Sequence, residues 1–549
     1  MEPEPWHKNA VVYALDVETF SDSDGNGVGD FRGLIDQLDY LNRLGVSALW
    51  LLPFYPTPNR DNGYDVKDYY GVDPRLGTLG DFVEFVHEAD DRGIRVIVDL
   101  VVNHTSDQHP WFEQARSDPD SKYRDYYVWV EEPPPPDPER GTVFPGEVED
   151  ERVWTYDTSA DAYYFHRFYP FQPDLNLANP AVREEIYKIM KFWLELGVDG
   201  FRIDAATLMI QPKHPDAERL DDPHELLRSL KRHVLAQEGD AILLAEADDA
   251  PDELASYFGD SDEMDLLMNF VLNAHTIAAL AMEDAGPLVT GLDRLPEAGS
   301  GQWLTFLRNY DELNIGRLPA SLREDVFERF APEEGMRIYG RGIRRRIAPM
   351  LDGDQDRIEL AYSLLFSLPG TPLVLYGDEI GMGDDLSRPG RTSVRTPMQW
   401  NDQPNAGFSS APDADLVAPV VTTGDFGYER VNVAAQRSDP TSLLNWTQRL
   451  IATRRECPEI GNGTVEVIET DESSVFAHRC DWNERTVFCV HNLASESCTA
   501  HLAVDLARPD PISPTFGTSQ LSPVEDGGCE IALDGYGYGW YRVDADQGD

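Results

Sequence analysis

Eight short apolar runs rich in β-branched residues recur through the first two-thirds of the chain, alternating with longer amphipathic segments. The runs are Val11–Val17, Ala48–Pro53, Arg95–Val101, Gly200–Asp204, Ala241–Glu246, Met264–Phe270, Trp303–Asn309 and Pro372–Gly377. Runs of this length bounded by turn residues read as buried parallel strands. Phe31–Leu44, Leu79–Arg92, Pro180–Leu196 and His224–Gln237 carry the 3.6-residue spacing of helices. Asn179-Pro180 has the form of an N-cap followed by a first-turn proline, and Gly45, Gly93 and Gly197 stand where helices stop. The alternation predicts an α/β fold, a (β/α)8 TIM barrel with its helices outside. An open doubly wound sheet is the competitor, but no Gly-rich dinucleotide turn follows the first strand.

Two stretches break the rhythm. Residues 105–173 are rich in aromatic residues and proline, include the run Pro133–Pro136, and read as an inserted domain after the third strand. Arg317–Pro349 lengthens the loop after the seventh strand; its basic patch Arg344–Arg346 reads as a solvated helix face. A last helix, Ser442–Glu456, precedes alternating runs at Val465–Glu469, Ser474–His478, Thr486–His491 and Gly539–Val543, the pattern of a small all-β domain. The organisation expected is a barrel from 1–104 and 174–456, an insertion at 105–173 and a β domain at 457–549.

Composition narrows the setting. The 549 residues carry 99 acidic against 46 basic side chains, a net charge of −53, which excludes nucleic acid as a partner. At 41% hydrophobic, the chain can nevertheless build a large core, so disorder is excluded. Lysine occurs only at Lys8, Lys67, Lys122, Lys188, Lys191, Lys213 and Lys231. A lysine-poor acidic surface suits concentrated salt, where carboxylate repulsion is screened. The five cysteines, Cys457, Cys480, Cys489, Cys498 and Cys529, form no C-x-x-C pair and read as idle thiols. Met1–Ala10 has no apolar leader core and no run is long enough to span a bilayer, so the expectation is a cytoplasmic protein with no membrane partner.

In a barrel of this kind, reacting groups sit at the carboxyl ends of the strands. There the chain reads Asp99-Leu-Val-Val-Asn-His104, Gly200-Phe-Arg202-Ile-Asp204, Ala245-Glu246 and Arg308-Asn-Tyr310-Asp311. Asp204, Glu246 and Asp311 therefore converge from three strands. Two carboxylates flanking a bond are the minimum for glycoside chemistry, one attacking and one protonating the leaving oxygen. Arg202, two residues before Asp204, shares its face of the strand and favours the ionised form of a nucleophile. Glu246 follows an apolar run, and burial there would keep it protonated as an acid. Tyr64, Phe144, Phe165 and Tyr310 offer faces for sugar rings.

The strings DLVVNH, GFRID, LLAE and FLRNYD resemble, in order and spacing, the signature regions of the α-amylase superfamily, glycoside hydrolase family 13. The resemblance covers nearly the whole chain. It implies a (β/α)8 barrel, an inserted B domain and a C-terminal β-sandwich. It implies Asp204 as nucleophile, Glu246 as general acid/base and Asp311 as transition-state stabiliser. Asp99 and Asn103 would be structural; Asp61, Tyr64, His104 and Arg202 would bind the sugar. GIRRRIAPML, LVLYGDEIGMGDD and RTPMQW resemble more narrowly the maltose–trehalose interconverting branch, the trehalose synthases. Relatives place the residue matching Arg395 near the active site, and Phe144 and Gln172 match further positions there. The chain departs from the family at Tyr310, where histidine is usual, and at Ala14-Leu-Asp-Val, where Gln-Leu-His-Val is usual.

Asp22-Ser-Asp24-Gly-Asn26-Gly-Val28-Gly-Asp30 sets oxygen ligands at loop positions 1, 3, 5, 7 (a backbone carbonyl) and 9, in EF-hand order. Gly33 stands at position 12, where a bidentate Glu is expected. By the resemblance, oligo-1,6-glucosidase-like members hold a structural Ca²⁺ here, so a Ca²⁺ site is expected, with Mg²⁺ as the alternative ion and no organic cofactor. The functional expectation is retaining α-glucosyl transfer on a small sugar substrate, interconverting maltose and trehalose. The alternatives are an α-glucosidase and a non-catalytic interaction module of the same fold.

Overall fold

The computed structural model describes residues 4–133, 141–145, 152–213, 222–503, 512–523 and 528–543. Eight strands close a barrel: β1 (Val12–Leu15), β2 (Ala48–Leu51), β3 (Arg95–Leu100), β4 (Gly200–Ile203), β5 (Ile242–Ala245), β6 (Leu266–Met268), β7 (Gln302–Phe306) and β8 (Thr371–Leu375). Each pairs parallel with its neighbours in chain order, and β8 closes on β1. β1, β2, β4 and β5 are buried along their whole length. The barrel interior covers one face and the helices the other, so these strands are apolar runs rather than alternating ones.

The helices start and stop as the side chains dictate. Thr78 and Asp81 form a reciprocal capping box at the start of Leu79–Asp90. Asn179 caps Pro180–Glu195 by accepting from the Ala181 N–H. Gly45 ends its helix at φ 94°, a left-handed conformation that a side chain would strain. The sequence predicts a single helix over Phe31–Leu44; the structure has Phe31–Asp36 and Leu38–Leu44. They part at Gln37, whose N–H bonds to the Leu34 carbonyl one residue short of helical spacing. The sixth strand is shorter than its apolar run, because Asn269 turns out of it to cap the next helix.

Between β3 and β4 the chain adds a helix, Pro110–Ser117, and a three-stranded antiparallel sheet of Trp129–Val130, Ala162–Phe165 and Trp154–Asp157. Residues 134–136 of the proline run lie outside the described residues. After the barrel, two sheets, one of five strands and one of three, face each other across Val475, Phe488, Val490, Ile531 and Leu533. That is a C-terminal β-sandwich. It is anchored to the barrel helix Gln355–Ser367 through Ser363, which contacts His491 Nε2 and accepts from Trp540 Nε1, each at 3.0 Å. All five cysteines are free thiols. Among the described residues, no helix is long and apolar enough to cross a membrane.

The basic patch is not a solvated helix face. Gly342–Ile343 pairs with Leu313–Asn314 and Arg337–Ile338, and this small sheet turns the arginines onto the end of the barrel. Arg346 is 0% exposed and donates to the Tyr376 carbonyl at 2.8 Å and to Asp378 at 3.1 Å. Arg345 lies 3.6 Å from Asp384, and Arg344 reaches the Arg388 carbonyl. A run of one charge indicates exposure only when no partners converge on it, and these partners come from residues thirty or more positions away.

Candidate active site

At the carboxyl end of the barrel the strands deliver their polar residues to one cleft of about 230 Å³. This lies below the roughly 300–1,000 Å³ of sites for drug-sized ligands and suits one or two sugar rings. Asp61, Tyr64, His104, Phe144, Asp204, Glu246 and Asp311 line it, all predicted from the sequence. Gln172, Arg202 and Arg395 stand behind the wall and bond the lining residues Asp61, Asp204 and Asp311, and Tyr310 lies further back.

Arg202 organises one side. Its guanidinium is 2% exposed and contacts Asp99 at 2.7 Å, Asp204 at 2.6 Å and Glu246 at 2.8 Å. Trp50 Nε1 and the Tyr64 hydroxyl donate to the second oxygen of Asp99, at 3.1 and 3.2 Å. Asp99 is thereby committed to structure, while Asp204 and Glu246 each keep an edge on the cleft. The Ala205 N–H donates to Glu246 at 3.2 Å.

Burial dominates the charge balance here. It raises Asp204 and Glu246 each to about 7, although Arg202 works against the shift. For Glu246 this is the behaviour expected of an acid. For Asp204 the sequence predicts Arg202 to prevail, but one cation shared among three carboxylates does not offset removing them from water. The two groups hold about one proton between them near neutral pH. His104 is lowered to about 4 by burial, so its imidazole is neutral; Nε2 lies 3.1 Å from the Tyr64 carbonyl.

The opposite wall is built differently. Asp311 is contacted by Arg391 at 2.5 Å and by Arg395 at 2.7 Å. These two cations outweigh burial and lower Asp311 to about 2, so it is ionised at any working pH. Arg391 also holds Asp61 at 2.9 Å, and Gln172 donates to the other Asp61 oxygen at 3.0 Å. Arg391 lines the cleft; the sequence points only to Arg395, four residues later. No local spacing distinguishes the two, because a short 3-10 turn at Gly390–Val394 decides which arginine faces inward.

Phe168, Asn309, Glu312 and Arg341 also line the cleft without having been predicted. Arg341 comes from the small sheet after β7 and donates to the Val143 carbonyl of the insertion at 3.1 Å. Phe144 beside it lies under the Arg391 guanidinium at 4.1 Å and against the Tyr339 ring at 5.5 Å. Two excursions of the chain thus meet over the carboxylates and narrow their access to water. Tyr310 does not reach the cleft. Its hydroxyl is bonded to Asp16 at 2.6 Å, so it offers no hydrogen bond to a bound sugar. Phe165, considered as a sugar platform, packs instead against Trp154 in the insertion.

Three acidic residues of the loop Asp22–Asp30 come together. Carboxylate oxygens of Asp22, Asp24 and Asp30 lie within 4.8 Å of one another. Asp22 accepts from the Gly25 and Gly27 N–H groups at 2.8 Å each, Asn26 Oδ1 from Val28 N at 2.8 Å, and Asp30 from Gly33 N at 2.7 Å. Gly27 sits at φ 92°, and a Cβ there would stand 2.1 Å from the Asp415 carbonyl. A hard, all-oxygen donor set on a turn that only glycine allows fits Ca²⁺ or Mg²⁺.

The α-amylase catalytic-domain family matches residues 15–294 and 343–463. Those segments carry Asp204 and Glu246, whereas Asp311 falls in the unmatched interval. A trehalose synthase of Pimelobacter sp. is 39% identical over 558 residues, covering 99% of this chain and 96% of that one. A trehalose synthase of Thermus thermophilus is 41% identical over 542 residues; the match takes in 96% of this chain but only 55% of that protein's length. The crystal structure of an α-amylase from H. orenii superposes with a TM-score of 0.78 at 29% identity, covering 98% of this chain and 100% of that one. The family match spans well over half of the residues, including six of the eight barrel strands whole, and the chain belongs to the α-amylase family.

Proposed function

We propose that this chain is a retaining α-glucosyl-transferring enzyme that interconverts maltose and trehalose. The observation that carries the reaction class is the single guanidinium of Arg202 bridging Asp204 and Glu246 at the edge of the cleft. One cation on both carboxylates holds them on the same side of the cleft, where a nucleophile and an acid/base can act on one glycosidic bond. Asp204 attacks the anomeric carbon, while Glu246 gives its proton to the departing glycosidic oxygen. The glucosyl group is then esterified to Asp204, and the second glucose is free in the cleft. That glucose turns, and Glu246 takes the proton from its anomeric hydroxyl as the oxygen displaces Asp204, giving trehalose. Asp311, ionised beside Arg391 and Arg395, stabilises the positive charge that develops on the sugar ring.

Isomerisation rather than hydrolysis requires that the freed glucose stay and water be kept out. The bridge from Arg341 to Val143, with Phe144 and Tyr339 beside it, supports that reading, as does the similarity to trehalose synthases along nearly the whole chain. Maltose incubated with the enzyme is expected to yield trehalose with little free glucose, measured by chromatography of the products. Free glucose with no trehalose would refute the isomerase. Arg341→Ala is expected to raise the glucose share by about threefold or more, because it removes the bridge to Val143 and the ion pair with Glu312 without contacting Asp204, Glu246 or Asp311.

Ca²⁺ at Asp22, Asp24, Asn26, Val28 and Asp30 is part of the same proposal. It would supply charge neutralisation and fix the start of helix Phe31–Asp36, which Asp30 also caps. An ion bound to the folded state alone raises stability by mass action, about 2.7 kcal/mol at a hundred times its dissociation constant. Chelation with EDTA should therefore lower Tm by several degrees, restored by excess Ca²⁺; a Tm indifferent to both argues against the ion. The acidic, lysine-poor surface supports a working medium of concentrated salt. The corresponding expectation is a higher Tm in molar KCl than in dilute buffer, and equal values would rule it out.

A further inference from the structure

Asp16 and Tyr310 are two of the positions at which the sequence departs from its family pattern. They lie 294 residues apart, yet they touch: the Tyr310 hydroxyl donates to Asp16 Oδ2 at 2.6 Å. Both are buried, at 7% and 2% exposure. The other oxygen of Asp16 accepts from the Glu18 N–H at 3.0 Å, as the N-cap of the short helix that follows β1. Asp16 is therefore held from the barrel side and does not swing with Tyr310.

The far face of the Tyr310 ring carries Arg395, with the guanidinium carbon 3.8 Å from the ring centroid. Arg395 Nε donates to the Tyr310 carbonyl at 3.1 Å and Nη1 to Asn62 Oδ1 at 2.7 Å. Nη2 then points at Asp311 Oδ1, 2.7 Å away. A guanidinium stacked on a ring follows that ring, and the hydroxyl bond to Asp16 anchors the outer end of the Tyr310 ring. A swing of the ring about the Cα–Cβ bond would carry Arg395 with it and move the nitrogen that contacts Asp311.

We propose that Asp16 is a positioning residue for Asp311, acting through the Tyr310 ring and Arg395. It rests on the role given to Asp311 above. Small displacements of a charge facing the reacting carbon are costly in rate and cheap in binding. The hydrogen bond acts at the transition state, so its loss is read in kcat and not in KM.

The test uses the full chain with maltose, following kcat, KM and Tm for Asp16→Ala, Asp16→Asn and Tyr310→Phe. Asp16→Ala and Tyr310→Phe are expected to lower kcat by roughly tenfold to a hundredfold with KM within about twofold. Asp16→Asn should recover most of the rate. Its amide oxygen can still accept from Glu18 and its amide nitrogen can donate to the Tyr310 hydroxyl, which keeps the ring in place. A purely structural role would lower Tm in all variants and leave kcat of the folded fraction unchanged, which overturns the proposal. So does Asp16→Asn as slow as Asp16→Ala, or a rise in KM at constant kcat. Should Asp16→Ala fail to fold, Tyr310→Phe, which removes one oxygen, decides the matter. A wild-type protein that converts maltose to neither trehalose nor glucose sinks the functional reading and this proposal together. An active wild type with unchanged variants sinks this proposal alone.

Discussion

Asp204→Asn is expected to reduce maltose turnover by about 10⁴-fold or more while leaving the protein folded. The amide is nearly isosteric, so the cleft keeps its shape, but it cannot form the glucosyl ester. Stability should hold or rise. Asp204 is buried, Asp99 and Asp311 disfavour its charge, it and Glu246 repel each other, and Arg202 is what favours the charge. Removing one negative charge from a crowded buried cluster relieves more repulsion than the lost ion pair contributed. The measurement is single-turnover release from maltose together with a thermal melt. A variant with wild-type turnover would overturn the assigned mechanism.

Arg202→Met should have the largest effect on stability. It leaves Asp99, Asp204 and Glu246 buried without the cation that contacts all three, at a cost of about 3–5 kcal/mol near neutral pH. The pH dependence has a definite sign. In the folded wild type these groups titrate at about 6, 7 and 7, above their ordinary values of 3.8, 3.8 and 4.5. A raised carboxylate favours folding below its unfolded pKa, and that contribution is lost as pH rises through the folded pKa. Removing Arg202 raises all three further and steepens the loss. Asp311, lowered to about 2, acts in the opposite sense and only under strong acid. The deficit of the variant, from urea midpoints, should be smallest near pH 5 and largest near pH 8. A deficit independent of pH would show that packing, not charge, is what Arg202 supplies.

Most of the site is legible in the sequence because its residues lie at strand ends, and strands are local. Asp204 and Glu246 each follow a four-residue buried strand directly, so finding the strand finds the carboxylate. Asp311 lies five residues beyond β7 and is reached through the resemblance of FLRNYD to a family signature; its ion pair with Arg395 is visible only in the structure. Arg391 and Arg341 were not legible. Each is one arginine among several in a long excursion, and its orientation depends on a short turn or a two-residue strand pairing. Tyr310 misleads in the other direction. Its position beside Asp311 suggests a sugar contact, but Asp16, supplied by the end of β1, takes its hydroxyl.

The sequence alone determined the barrel, the insertion, a C-terminal all-β domain and the identity of the converging carboxylates. The first three follow from the period of apolar residues, and the carboxylates from strand ends and family signatures, all written within a few residues of chain. Only the tertiary structure decided how protons and cations are shared among those carboxylates. Burial raises Asp204 and Glu246 toward neutrality, and two arginines from a distant loop keep Asp311 charged. Solvation and Coulomb energy depend on distance through space and on the water displaced, and neither is encoded by separation along the chain.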